Sequence, residues 1–487
     1  MDALAFEHHL TSPQGRGHAP AGAASATAGG WVCGDEITLS LTVSGDRVDD
    51  AGFIASGCGA STAAASAAVT LVRGTGVLDA ARIGPAEIAS ELGGLSPAKR
   101  HAADLAADAL ARALGAAVTS RARLAPAPGR TLVAMSGGVD SAVAAHLVAR
   151  EGEAVAVTLE LWADAENDAE GSCCSASAVA QARGLAHRMG LPHFTVDLRE
   201  PFRAGVVEPF MAGYAGGETP NPCVGCNGHV RLDAMLALAD RLGAGTLATG
   251  HYARVAEAGH EGGPLLRAAA DPAKDQTYML AALAPASLAR MRFPLGELCK
   301  PRVREIAAEA GLPVAAKPDS QDLCFLAGTN RARFLERHGG LGERPGPLVD
   351  PDGVEVGRHL GQHRFTVGQR RGLGVAGGEP LYVLDKDAAS GRVTVGPLAA
   401  LRTEQVAVRG ARLHRAGARV DRVKLRYRSQ PLPARVPGEL AAGPHRRLTL
   451  DLEEPVDGAA PGQLACLMDG ELVVGWGTIT RPEPSPR

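Results

Sequence analysis

Aromatic residues are scarce in this chain. Phe, Trp and Tyr make up 3% of its 487 residues, so the cores must be built from Ala, Leu and Val. That weakens any scheme in which RNA bases stack on an aromatic sheet. Long apolar runs are missing too. No stretch reaches the ~18 residues that a membrane helix needs, and the start lacks a basic segment followed by an apolar one. The expected location is the cytoplasm, with no membrane partner. There is no G-x-x-x-x-G-K-[ST], which excludes a P-loop kinase or GTPase site. The nine cysteines are an odd number in a long, cytosolic-looking chain, which argues against a disulfide framework and leaves reactive thiols or metal ligands. Cys299 and Cys466 sit in apolar surroundings and read as core residues.

Charge is present but unevenly placed. The net charge is −3, which by itself argues against wholesale nucleic-acid binding. Between Leu401 and Leu450, however, twelve Arg or Lys face three Asp or Glu, a local balance of +9. Such a block serves either as a phosphate-binding face or as the solvated surface of an Arg-rich protein.

The length suggests about three domains of ~150 residues. Residues 1–30, rich in Gly, Ala, Ser and Pro, read as a disordered tail. Strand patterns over Ile37–Ile54 and helical patterns over Ser61–Val72 and Pro97–Val118 make 31–120 a small α+β unit. Residues 121–130 (A-P-A-P-G-R) read as a linker. From Thr131 short apolar strands alternate with helices, which predicts a doubly wound parallel α/β sheet over 131–330. The texture then changes to frequent Gly, Pro and Val. Residues 331–396 read as a small β-rich unit and 397–487 as a β-barrel.

Ser136, Gly137, Gly138, Val139, Asp140 and Ser141 follow the first strand of the parallel sheet, which ends in Ala134 and Met135. Glycines there let the backbone approach an anion, and a helix N-terminus adds N–H donors and a favourable dipole. Asp140 suggests a Mg2+ ligand as well as a helix cap. A glycine-rich βα turn with a capping Asp explains the same residues without a ligand. S-G-G-V-D-S in this place resembles the pyrophosphatase-loop (PP-loop) ATPases, which adenylate a carbonyl oxygen. That resemblance implies ATP binding by residues 134–141 and places Leu159 against adenine and Gly250 near the nucleotide.

Cys223 and Cys226 stand just before a helix expected over Val230–Arg241, where a helix terminus favours the thiolate. Cys324 lies far downstream. Structural zinc at the C-x-x-C is disfavoured because no second ligand pair exists. The motifs S-G-G-V-D-S, C-C-S, T-P-N-P-x-x-x-C-N, A-T-G-H-Y-A-R, K-D-Q-T-Y-M-L, K-P-D-S-Q-D-x-C-F, F-T-V-G-Q-R-R-G-L and K-L-R-Y-R occur in one order. Together they resemble the tRNA-specific 2-thiouridylase family over about residues 129–480. The resemblance implies an ATP-dependent sulfurtransferase that thiolates the tRNA wobble uridine, supplied by a sulfur donor such as a cysteine desulfurase or a relay protein. It implies that Cys226 is the nucleophile and Cys324 the persulfide carrier. It places Asn221, Pro222 and Cys223 facing the target base, and His251, Lys274, Asp275, Gln276, Arg426, Tyr427 and Gln463 at tRNA. Many family members have Asp at the position of Cys223. The substitution makes a three-thiol set, Cys223, Cys226 and Cys324, that would also suit a [4Fe–4S] cluster.

Residues 31–118 resemble an iron–sulfur scaffold domain of the IscU/NifU type. Cys33, Asp35, Cys58 and His101 match its pattern, and Ala102 replaces its third cysteine. The match implies either a site for zinc or a labile cluster or a domain retained for docking a sulfur donor. Two other readings remain. A small-molecule adenylating ligase explains the loop but not the cysteines, and a non-enzymatic iron–sulfur scaffold or carrier explains residues 31–118 alone.

Overall fold

Alternation in I-T-L-S-L-T-V puts Ile37, Leu39, Leu41 and Val43 on one buried face of a strand, β2 (Glu36–Ser44). β2 is the middle of a three-stranded antiparallel sheet between β1 (Ala24–Gly29) and β3 (Arg47–Ser56). The computed structural model describes residues 3–29, 34–164, 175–257, 262–319, 323–375 and 379–482. It divides into two units: Met1–Arg199, Ala234–His251 and Arg290–Phe325; and Glu200–Asp233, Tyr252–Ala289 and Leu326–Arg487. The block 131–330 expected as one domain is thus shared between them.

In the first unit the antiparallel sheet is followed by helices α2 (Gly59–Val72), α3 (Val77–Ala80), α4 (Pro85–Glu91) and α5 (Arg100–Ser120). Ala63, Ala64, Ala65, Ala67 and Ala68 of α2 are all buried. Small side chains let α2 pack closely without the bulk of aromatics. The expectation of a tail over 1–30 is overturned. Ala3–Thr11 is helix α1, and its buried His9 hydrogen-bonds Ser66 of α2 at 2.8 Å. Ala24–Gly29 is β1, paired with β2 along its length. The expected linker also shortens, because β4 already begins at Ala127.

β4 (Ala127–Ala134), β5 (Glu153–Glu160), β6 (His193–Asp197) and β7 (Ala244–Ala248), with the short strand Met291–Arg292, make a five-stranded parallel sheet. Its order is Met291–Arg292, β7, β4, β5, β6. Helices α6 (Val139–Glu151) and α7 (Ala176–Arg188) make the crossovers. Leu132, Val133 and Val155–Val157 are buried, as a parallel sheet covered on both faces requires.

α5 packs directly on β6. Gly115 of α5 lies so close that a Cβ there would sit 1.9 Å from the Thr195 carbonyl oxygen. Asp108 and Arg112 of α5 pair with Arg183 of α7 and Glu160 of β5. Burial pushes the Asp108 carboxyl up, but Arg183 and Arg112 leave it below its ordinary value. Breaking a buried pair of this kind by removing one partner costs about 3–5 kcal/mol.

In the second unit, strands Gly346–Val349, Glu355–His359, Tyr382–Lys386 and Val393–Gly396 form a four-stranded sheet. Six antiparallel strands close into a barrel: Arg402–Leu413, Gly443–Asp457, Leu432–Arg435, Arg422–Lys424, Leu464–Asp469 and Leu472–Ile479. Leu472–Ile479 returns to pair with Arg402–Leu413, and the barrel core is aliphatic, including Val408, Val423, Leu450 and Leu467. The hairpin Arg254–Ala256/Leu265–Arg267 joins the outside of Leu472–Ile479, a pairing across the chain that local pattern does not reveal. Among the described residues no helix is long and apolar enough to cross a membrane.

Gly115→Ala should destabilise the full chain by about 1–3 kcal/mol, because the added methyl meets backbone that cannot give way. A denaturant midpoint equal to wild type would contradict the close seating of α5 on β6.

Candidate functional site

The phosphate-loop residues form one tight turn. Gly137 has φ +71°, a conformation that favours glycine. The Ser141 hydroxyl accepts from the Ser136 N–H at 3.1 Å and donates to the Gly138 carbonyl at 3.1 Å. The turn opens α6, which starts at Val139. Gly250 approaches it closely, since a Cβ there would lie 2.7 Å from the Ser141 nitrogen. Any side chain at 250 would push the turn away. β4 ends at Ala134, one residue earlier than expected, with buried Met135 just beyond it, and Leu159 is buried on the neighbouring β5. The cradle therefore fits an anionic ligand, with N–H groups at the start of α6 and hydroxyls on both sides.

Asp140 does not offer an open carboxylate. Lys300 Nζ donates to its two oxygens at 2.7 and 2.8 Å. The same ammonium lies 2.7 Å from Asp319, which Arg304 also contacts at 3.1 Å. An ammonium thus stands where a Mg2+ ligand was expected, and a divalent ion at Asp140 would have to displace or share it. Lys317 donates to the Gly137 carbonyl at 3.0 Å and to Gln181 at 2.6 Å. Lys300, Arg304, Lys317 and Asp319 are missed by the sequence reading. The signal was present, because Lys317 and Asp319 belong to the K-P-D-S-Q-D-x-C-F motif, of which only the cysteine was weighed.

Cys324 opens a short 3-10 turn, Cys324–Leu326, and is partly exposed. It follows Asp319 by five residues. A chain of that length spans at most about 18 Å, which bounds how far Cys324 stands from the phosphate loop. Ser320, Gln321 and Asp322 of the motif, and Cys173 and Cys174 of C-C-S, lie outside the described residues.

Cys223 and Cys226 sit inside a helix rather than before one. Asn221 caps the turn Pro222–Gly225, its side chain accepting from the Cys223 N–H at 3.1 Å, and Pro222 takes the first helical position. A π-helical turn, Cys226–Arg231, follows and leads into Leu232–Arg241. Cys226 is buried and Cys223 partly exposed. Helical turns therefore begin at Pro222, eight residues before the expected start at Val230.

The residues expected at tRNA divide into two groups. The Asp275 carboxylate accepts from the Thr277 hydroxyl at 2.7 Å and pairs with Lys424 at 3.2 Å, where both side chains are buried. Gln276 accepts from the Tyr252 N–H at 2.9 Å. Gln463 donates to the Thr219 carbonyl. These three side chains are engaged within the protein. Arg426 is exposed and makes a 3.4 Å contact with the Gly458 carbonyl. Tyr427 and Lys274 are partly exposed, and Tyr427 lies 6.4 Å from the ring of Tyr278. His251 is oriented by Thr249 at 2.8 Å and stands edge-on to Phe293. Of the two cysteines assigned to the core, Cys466 is buried, with a thiol that burial pushes up to about 12. Cys299 is exposed instead, at the N-cap of Lys300–Glu309.

In the N-terminal domain, Asp35, Cys58 and His101 bring one ligand atom each within 4.8 Å of the others. His101 Nε2 stands 4.0 Å from Cys58 Sγ and 3.6 Å from Asp35 Oδ2. The Ser61 hydroxyl, at 2.6 Å, and Cys58 hold the Asp35 carboxyl below its ordinary value. An ionised carboxylate, a thiol and an imidazole suit a borderline-soft cation. Ala102 is fully buried beside them and contributes no ligand. Cys33 lies outside the described residues.

Four family descriptions match the chain end to end. They are the NifU-like N terminal domain over residues 5–121 and the tRNA methyl transferase HUP domain over 129–328. The tRNA methyl transferase PRC-barrel domain follows over 332–397 and the Aminomethyltransferase beta-barrel domain over 406–479. A bifunctional protein NifU/MnmA of Rubrobacter xylanophilus is 43% identical over 488 residues, covering 97% of each chain. A tRNA-specific 2-thiouridylase MnmA of Chloroflexus aggregans is 43% identical over 358 residues, 72% of this chain and 98% of its own. The corresponding protein of Rhodospirillum centenum is 43% identical over 375 residues, 74% of this chain and 94% of its own.

The N-terminal geometry makes a specific expectation. The full chain, stripped of metal, should take up Zn2+, and His101→Ala should weaken that uptake by about tenfold or more. Equal affinity of the two proteins in a chelator competition would remove His101 from the site.

Proposed function

This chain belongs to the tRNA-specific 2-thiouridylase family, with a NifU-like domain fused ahead of it, and we propose that it replaces O2 of the wobble uridine of tRNA with sulfur. What carries the reading is the 43% identity to a NifU/MnmA relative along nearly the whole of both chains. That identity accompanies a phosphate turn whose flanking charges come from the same segment as the proposed sulfur carrier.

The uracil C2 oxygen is a poor leaving group. In the proposed reaction it attacks the α-phosphorus of ATP, pyrophosphate departs, and C2 then bears an adenylate. Residues 134–141 hold the phosphates, with Leu159 and Gly250 beside the nucleotide. Lys300 and Lys317 balance charge around the turn. Cys324 carries a persulfide loaded by a sulfur donor. Its terminal sulfur attacks C2 and AMP leaves with the former uridine oxygen. Cys226 thiolate then attacks the Cys324 sulfur, the S–S bond to the transferred atom breaks, and a Cys226–Cys324 disulfide remains. Sulfide released by the same thiolate attack before transfer balances equally. A thiol reductant returns two electrons to the disulfide. The uridine must leave the anticodon stack to react.

Asn221, Pro222 and Cys223 shape the turn toward the base, and Lys274, His251, Arg426 and Tyr427 contact tRNA. Asp275, Gln276 and Gln463 act by holding that surface in place. Mg2+ would accompany ATP rather than rest on Asp140. One observation favours a second reading. Cys223 stands three residues before Cys226 on the same helical segment, so Cys223, Cys226 and Cys324 would hold a [4Fe–4S] cluster in its place. At the N-terminal domain, the proposal is a metal or labile cluster at Asp35, Cys58 and His101, with Cys33.

Cys324→Ser should bind ATP and tRNA yet form no 2-thiouridine from a persulfide donor. Thiolation by this variant would remove Cys324 from the chemistry. Arg426→Ala should weaken tRNA binding and reduce its log–log salt slope by about one unit. An unchanged slope would leave the basic block as solvated surface. Oxygen-free purification of a full chain carrying Cys58→Ser decides between the two readings. Full activity without iron establishes the persulfide route, whereas about four irons per chain, lost with activity in Cys223→Ser, establishes the cluster.

A further inference from the structure

The turn that leads to the two cysteines is pinned by groups outside itself. It begins after the helix Glu208–Ala215 with Gly216 and Gly217, the latter at φ +81°. A Gly–Gly pair is a natural swivel. Beyond it, the Thr219 N–H donates to the Pro461 carbonyl at 2.8 Å, and the Thr219 carbonyl accepts from Gln463. The Glu218 carboxylate accepts two hydrogen bonds from Arg409, at 2.9 and 2.7 Å. The Glu218 carbonyl accepts from Lys386 Nζ at 3.4 Å, and the same ammonium donates to the Phe365 carbonyl at 2.8 Å.

Lys386 is an unusual residue to find there. It is 1% exposed, on the strand Tyr382–Lys386 of the central sheet. Burying an ammonium is costly unless its donors are used. Burial pushes its titration down to about 8, Arg331 and Arg481 add to the effect, and Asp385 and Glu218 oppose it. His363 faces it as well. A methionine would fill the same space without that cost. What the ammonium adds is a donor shared by two carbonyls far apart in sequence, one of them three residues before the Asn221 cap.

We propose that Lys386, with Arg409 on the exposed rim, is a positioning residue for sulfur transfer: the two fix Glu218, and through Thr219 and Pro220 they set the place of the Asn221 cap and of Cys223 and Cys226. The proposal rests on the reading of Cys226 as nucleophile. Misplacing a reacting group by an ångström costs about a hundredfold in rate, so small freedom at the Gly216–Gly217 swivel matters.

The test uses the full chain with Lys386→Met and, separately, Arg409→Met. Two quantities are read: kcat and KM for tRNA thiolation, and hydrogen exchange of the peptide 213–226. Lys386→Met should lower kcat by about tenfold or more, with KM for tRNA within about threefold. Exchange should quicken in 213–226 while the barrel strand Leu464–Asp469 keeps its protection. Arg409→Met should move both readouts in the same direction by less. Unchanged kcat and exchange in Lys386→Met would overturn the proposal. So would exchange that quickens equally across barrel and central sheet, which marks a purely structural role. If Lys386→Met does not fold, Arg409→Met decides: quickened exchange confined to 213–226 supports the clamp, and wild-type exchange overturns it. A wild-type chain that makes no 2-thiouridine contradicts the proposed function, while the exchange comparison still judges the clamp.

Discussion

One ammonium ties the first unit's distant motifs together. Lys300 stands between Asp140, in the phosphate turn, and Asp319, in the segment that runs on to Cys324. Its side chain is nearly buried, so its charge cannot be left unmatched. Removing it would take the shared cation away from both Asp140 and Asp319. The pairing brings Asp319, five residues before Cys324, to the turn, and a metal ion at Asp140 would have to displace or share the ammonium.

A second constraint lies between the NifU-like domain and the parallel sheet. Fusion alone would allow a tethered carrier that swings. The structure instead seats α5 against β6 through Gly115 and buries Asp108 against Arg183. The same helix carries His101 in its first turn. A chain cut near residue 125 would therefore lose a packed face as well as the Asp35, Cys58 and His101 cluster, so point substitutions are the cleaner way to silence that cluster.

Much of this architecture is legible in the sequence. β2 follows from alternation, whereas α2, α6 and β5 follow from runs of small or apolar residues that are largely buried. The glycine-rich turn and the candidate cysteines Cys226 and Cys324 are picked out by ordered motifs. What escaped has physical reasons. Ala24–Gly29 has no large apolar residue, and among the described side chains of Ala3–Thr11 only His9 is buried, so neither shows the apolar pattern of a core element. The helix from Pro222 hid behind residues that mark loops in isolation but cap helices in context. Cys299 looked apolar by its neighbours in sequence, yet the helix cap turns it outward. Lys300, Asp319 and Lys386 act through partners 19 to 168 residues away, and no local pattern reports such contacts. Asp275 and Gln276, in the K-D-Q-T-Y-M-L motif, and Gln463 are expected at tRNA by resemblance, and their side chains also make hydrogen bonds within the fold.

The most direct measurement of the central claim is the mass of the wobble uridine. The full chain, loaded with sulfur by a persulfide donor, would be given ATP and unmodified tRNA, and the digested nucleosides weighed. The account predicts that the target uridine exchanges oxygen for sulfur, with one AMP and one pyrophosphate released for each atom transferred. A uridine of unchanged mass, with the donor, ATP and tRNA all shown to be bound, would contradict it.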